Sequence, residues 1–216
     1  MRTLGLVLLI LLILSTMVGC IDRPEKEGTI DLTQNCTGGR ILIIIAPEDF
    51  RDEEELVPEE IFEEYGFTVD VASTTKKVAE GMRGTKIKPD LAFSDVNVGD
   101  YDAIVIAGGI GSREYLWGDD LLRSLVIEAY NREKIVAAIC LSPVILARAG
   151  ILDGKNATVF PDDEAIKELV ENGAIYQDEE VVVSDRIITG RDPHAARVFA
   201  LRIIERERYL GNGKNG

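Results

Sequence analysis

Lys134-Ile-Val-Ala-Ala-Ile-Cys140-Leu-Ser-Pro143-Val-Ile-Leu-Ala-Arg-Ala-Gly150 is the stretch whose reading decides the fold. Its first six residues read as a buried strand, and the apolar residues from Pro143 onward read as a helix. Pro143 suits the first helical turn, where the amide hydrogen it lacks would have no partner. Gly150 tolerates a left-handed C-cap and closes the helix. Cys140 therefore stands at a sharp strand-to-helix corner. Ala138 and Ser142, two positions away on either side, are small enough to let the backbone reverse, the spacing of a nucleophile elbow. A thiol there faces the positive end of a helix dipole, which favours thiolate over thiol. Packing is the alternative, because free cysteine is among the most buried residue types. The strand, the small flanks and the proline together favour a reactive thiol.

Outward from this corner the same material repeats. Residues 41–46, 67–72, 103–107 and 135–139 are apolar, β-branched runs of the kind buried on both faces in a parallel sheet. Between and after them come a carboxylate-rich helix ending near Tyr65-Gly66, amphipathic helices over 119–131 and 163–172, and a closing helix from Pro193. Further strands fall near 157–159, 181–183 and 187–189, while residues 74–100 read as a hairpin or edge. The alternation predicts an α/β sandwich: a doubly wound, mostly parallel sheet with helices on both faces. In such sheets the loops at the carboxyl ends of the strands gather around one crevice. Cys140 and the turns after Ala46 and Ala107 all lie on that edge.

Three features of the edge could serve the cysteine. Gly108-Gly109 follows a strand directly, where glycines let the backbone approach a ligand and offer amide hydrogens to an oxyanion. A simple tight turn explains the dipeptide equally well. Leu141 adds its own amide beside the nucleophile, as elbows do. The run Arg51-Asp-Glu-Glu-Glu55 reads as a solvated helix start. One of its carboxylates could instead point inward and hold a proton, and spacing alone does not choose which. His194, the only histidine, follows Asp192-Pro193, an N-cap and a first-turn proline. It is either an exposed first-turn residue or a base for Cys140. One histidine and three cysteines supply no zinc set, and no phosphate-cradling loop is present, so neither metal nor cofactor is expected.

The front of the chain is different material. Arg2, an apolar run from Leu4 to Leu14 and the small-residue ending Met17-Val-Gly-Cys20 make a secretory signal resembling a lipobox, with Cys20 as the lipidated residue. An uncleaved anchor is the alternative; either way the domain lies outside the cytoplasm, held to the membrane only at its N-terminus. Residues 21–39 read as a tether, 40–210 as the domain and 211–216 as a flexible tail. Cys36 lies in the tether, so no disulfide framework is expected. The 216 residues carry a formal net charge of −14, which argues against nucleic acid as a partner.

Four blocks in order, the first strand with its acidic helix, Ile104-Val-Ile-Ala-Gly-Gly109, Val136-Ala-Ala-Ile-Cys-Leu-Ser-Pro143 and Gly190-Arg-Asp-Pro193, give the chain a resemblance to the ThiJ/PfpI family of the class I glutamine-amidotransferase-like superfamily. The resemblance implies a flavodoxin-like fold, a strained nucleophilic cysteine and homodimers or larger homo-oligomers. It also selects Glu54, four residues before Pro58, as the protonated carboxyl that holds the cysteine sulfur. Two departures stand out: Leu141 follows the cysteine where protease-like members have histidine, and Phe160 precedes Pro161 where other members have histidine. The expected function is glyoxalase- or deglycase-like chemistry on small reactive carbonyl compounds. A cysteine peptidase or amidase using His194 on a peptide substrate, and a non-enzymatic redox-responsive or binding domain, are the alternatives.

Overall fold

Arg40 is followed by four fully buried apolar residues in β1 (Arg40–Ile44), a run that only a sheet covered on both faces accommodates. The computed structural model describes residues 38–213, with side chains to residue 211. After β1 come β2 (Glu48–Phe50), α1 (Asp52–Glu64), β3 (Thr68–Ser73), β4 (Ala79–Gly81), β5 (Lys86–Ile87), β6 (Leu91–Ala92) and β7 (Ala103–Ile106). A π-helical turn (Ser112–Leu116) leads into α2 (Asp120–Asn131), β8 (Ile135–Ile139) and α3 (Pro143–Arg148). The chain ends with β9 (Asn156–Ala157), α4 (Asp163–Glu171), β10 (Ile175–Tyr176), β11 (Val181–Ser184), β12 (Ile187–Gly190) and α5 (Ala196–Gly213).

Seven strands form the main sheet in the order β11-β12-β8-β7-β1-β3-β6. Its pairs are parallel except β11 with β12. Ile43, Val105, Ala137 and Ile188 lie side by side across the four central strands, so their carboxyl ends finish at one level. The chain runs outward from β1 through β3 to β6, then returns to build β7, β8 and β12 on the other side. The crevice therefore opens between β1 and β7, and Cys140 leaves the adjoining β8.

The predicted central strands and helices are all present. The region 74–100 is the expected hairpin, β4 against β5, and β2 joins it in a separate three-stranded sheet. β2 has only three residues, two of them acidic, too little for a periodic signal. The domain starts slightly earlier than expected: a Cβ on Gly38 would strike the Gly66 carbonyl, and Thr68 donates to the Gly39 carbonyl at 3.0 Å. Residues 211–213 continue α5 rather than forming a tail. The segment expected to be a secretory signal with a lipidated Cys20, together with Cys36 and most of the expected tether, lies outside the described residues. Among the described residues no helix is long and apolar enough to cross a membrane.

The inner face of α1 carries an unusual burden. Glu55 is completely buried, and among the described residues neither carboxyl oxygen accepts from an N–H donor. Burial pushes its pKa from 4.5 up to about 8, and the neighbouring Glu59 carboxyl adds to the rise. A carboxyl raised in the folded state is neutral there while the unfolded chain ionises, so stability falls as pH climbs from about 4.5 to about 8. Glu55→Gln is expected to flatten that slope and to raise the thermal midpoint near pH 8 by several degrees, with no gain below pH ~4.5. Parallel melting curves of both proteins across this range check it; identical slopes would contradict it.

Candidate active site

Cys140 has φ +62°, a left-handed conformation that a side chain adopts only under constraint. The constraints are visible. Its amide donates to the Gly190 carbonyl of β12 at 3.0 Å, and its carbonyl accepts from the Phe160 amide at 2.8 Å. Ser142 closes the turn by donating its amide to Ile139 at 3.1 Å, while its hydroxyl donates to the Ala107 carbonyl at 2.7 Å. Trp117 donates from Nε1 to the Leu141 carbonyl at 2.8 Å. The indole of Trp117 is met by two guanidiniums, Arg113 at 4.9 Å and Arg148 at 5.1 Å from the ring centroid. Strand, π-turn and helix thus grip the elbow from three directions.

The acidic run at the start of α1 divides its labour. Asp52 accepts from the amides of Arg83 and Thr85 at 2.8 and 3.0 Å and anchors the β4–β5 hairpin. Glu53 pairs with Arg51 at 2.7 Å and Arg83 at 2.9 Å. Glu54 turns inward and is fully buried. Its Oε2 accepts from the Gly108 amide at 2.8 Å, and among the described residues its Oε1 has no N–H donor. Gly108 is wedged between the two groups of interest: a Cβ there would lie 2.6 Å from Cys140 Cβ and 2.7 Å from Glu54 Oε2. Glu54 and Cys140 therefore face each other across one glycine, as the resemblance implied.

Two expectations are corrected. The Gly108 amide is not free to meet an oxyanion, because it is spent on Glu54. The amides that act on the sulfur are those of Gly109, held at φ +101°, and Leu141. The thiol is also not acidified. Burial is the largest influence on Cys140 and pushes it up, the Glu54 carboxylate pushes it further, and the two amides pull back only in part. Burial likewise raises Glu54 to about 8, against the pull of Gly108, Cys140 and Arg51. The helix after the elbow has only six residues, too short a dipole to overcome the loss of water. At neutral pH the pair holds both protons, and the first leaves near 8.

His194 is exposed, and its backbone amide donates to the Asp192 carboxylate at 2.8 Å, so the N-cap reading is right. No hydrogen bond joins it to the site among the described residues. Those residues also hold no group of three His, Cys, Asp or Glu able to bind a metal. Sequence reasoning missed Trp117, the lone tryptophan, and the Phe160 amide. The first was signalled only by its rarity, and the second is a backbone group with no signal.

A buried carboxyl across a glycine from an elbow cysteine, on a flavodoxin-like sheet, defines a class of α/β proteins. The profile of the DJ-1/PfpI family matches residues 39–206, and the chain belongs to that family. An uncharacterized protein of Methanocaldococcus jannaschii is 49% identical over 95% of this chain and 97% of its own. A glutathione-independent glyoxalase of Caenorhabditis elegans is 30% identical, covering 76% of this chain and 86% of its own. Deglycase PfpI of Pyrococcus furiosus is also 30% identical, over 70% and 90% of the two chains. The crystal structure of a ThiJ/PfpI domain protein from Brachyspira murdochii superposes with TM-score 0.76 at 33% identity, covering 81% of this chain and 99% of that one.

Gly108→Ala tests the wedge. The added methyl has backbone and buried side chains on both sides, so the variant is expected to lose about 1–3 kcal/mol of stability. Urea denaturation measures this; an unchanged midpoint would mean that Glu54 and Cys140 are not in fixed apposition.

Proposed function

We propose that the protein converts small 2-oxoaldehydes to 2-hydroxy acids, with Cys140 as nucleophile and Glu54 as proton carrier. The observation that carries this is the Glu54–Cys140 apposition, with the Gly109 and Leu141 amides beside the sulfur. The glyoxalase and deglycase names of the relatives support it. Sulfur adds to the aldehyde carbon, the carbonyl electron pair moves to oxygen, and the thiol proton passes to the Glu54 carboxylate. The two amides are placed to meet the alkoxide. Glu54 hands that proton to the alkoxide and, ionised again, carries the former aldehyde hydrogen, as a proton, to the adjacent carbon while the hydroxyl proton moves to the neighbouring carbonyl oxygen, leaving a thioester of the 2-hydroxy acid. Water cleaves the carbon–sulfur bond and restores the thiol. Net, one water is added, and neither oxidant nor reductant is needed.

A carboxyl whose pKa lies near the working pH suits both directions of that transfer. His194, exposed and bonded through its backbone amide to Asp192, has no step in it. Lipid attachment at Cys20 and an extracytoplasmic site are a separate proposal read from residues 1–20 alone; a lipid mass on purified membrane-associated protein tests it.

Methylglyoxal turnover is expected to vanish in Cys140→Ser and to fall about 100-fold or more in Glu54→Gln. In the parent, kcat/KM should rise through pH ~8 as Glu54 ionises. Lactate formation followed across pH checks all three, and undiminished turnover in Cys140→Ser would overturn the proposal.

A further inference from the structure

Two positions joined through the backbone to the residues at the sulfur, Phe160 and Ile110, expose large apolar side chains. Phe160 is 38% exposed although its amide is bonded to the carbonyl of Cys140 itself. Its predecessors Thr158 and Val159 are fully buried, so the chain emerges from the core at this residue. Phe160 is also fixed on its far side: its carbonyl accepts from the Asp162 amide at 2.7 Å, and Asp162 is paired with Arg113. Ile110 is 52% exposed at the apex of the turn that Ser112 closes onto the Gly109 carbonyl at 3.1 Å, one residue beyond the amide that acts on the sulfur. An exposed phenyl ring on so constrained a backbone has lost little further freedom to a ligand, which is how a preformed contact surface gains selectivity.

The cations of the same segments are already engaged. Arg113 is bound to Asp162 and Glu164, and Arg51 to Glu53. A substrate bearing a phosphate or carboxylate would have to break these pairs, whereas an apolar substituent needs only Phe160 and Ile110.

We propose that Phe160 and Ile110 form an apolar lip that makes the site selective for 2-oxoaldehydes with an aryl or long alkyl substituent over methylglyoxal. The proposal rests on the carbonyl chemistry assigned above and names its substrate class. Contact with one added apolar group in a pocket discriminates by about 10- to 200-fold, and a half-open lip belongs at the low end.

The test compares initial rates on phenylglyoxal and methylglyoxal in the parent, Phe160→Asn, Phe160→Leu and Ile110→Ser. The expected parent kcat/KM ratio favours phenylglyoxal by about tenfold, is kept in Phe160→Leu, and approaches one in Phe160→Asn and Ile110→Ser. A parent ratio near one, or a preference that survives both polar substitutions, overturns the lip. Alkylation of Cys140 by phenacyl bromide against bromoacetone, each normalised to free cysteine and read by intact mass, reports the same preference without turnover. Loss of turnover on both aldehydes with the alkylation preference intact would sink the assigned reaction and leave the lip standing. An alkylation ratio near one would sink the lip whatever the turnover.

Discussion

Everything at the head of the sheet depends on one buried carboxyl that has to live next to a buried thiol. Glu54 is fully buried, and among the described residues the Gly108 amide is the one N–H that stabilises its charge. Cys140 has the Gly109 and Leu141 amides to set against its burial and the Glu54 charge. Two negative charges across a single glycine are not tolerated in such a place, so the pair behaves as one acid that releases one proton. The thiol is therefore kept neutral at rest. That differs from a cysteine primed by a helix dipole or a neighbouring histidine.

The fold supplies the geometry that makes this sharing possible. β7 and β8 end at one level, so the glycine turn after the first meets the elbow of the second. α1 starts on the far side of the switch point and drops Glu54 into the gap. The left-handed backbone of Cys140 costs about 1–2 kcal/mol, a strain persisting only where the surroundings over-determine it. Here Gly190, Phe160, Ala107 and Trp117 do so from separate elements. The same bonds that hold the strain also aim the Leu141 amide, because the peptide whose carbonyl Phe160 grips is the one whose N–H faces the sulfur.

The sheet was legible because fully buried parallel strands leave continuous apolar runs, and the elbow because small residues and a first-helical-turn proline bracket Cys140. β2 and the π-turn were not legible: three polar-rich residues and a backbone bonding pattern leave no periodic mark. The acidic run shows the limit of local reading most plainly. Asp52, Glu53, Glu54 and Glu55 look alike in sequence, yet one anchors a hairpin, one forms ion pairs, one faces the cysteine and one is buried against Glu59. Resemblance to a family selected Glu54; spacing could not. The direction of the thiol's shift was misread for a related reason, since a dipole is visible in a helix boundary but desolvation comes from residues far away in the chain.

The ionisation of Cys140 tests the shared-proton account most directly. Thiolate absorbance of the folded protein, followed from about pH 5 to about pH 11 and corrected with Cys140→Ser, should show essentially no anionic sulfur at neutrality. Thiolate should stay scarce even as Glu54 loses its proton near 8, and Glu54→Gln should lower the pH at which it grows. A sulfur already ionised well below pH 7, or a titration indifferent to Glu54, would contradict it.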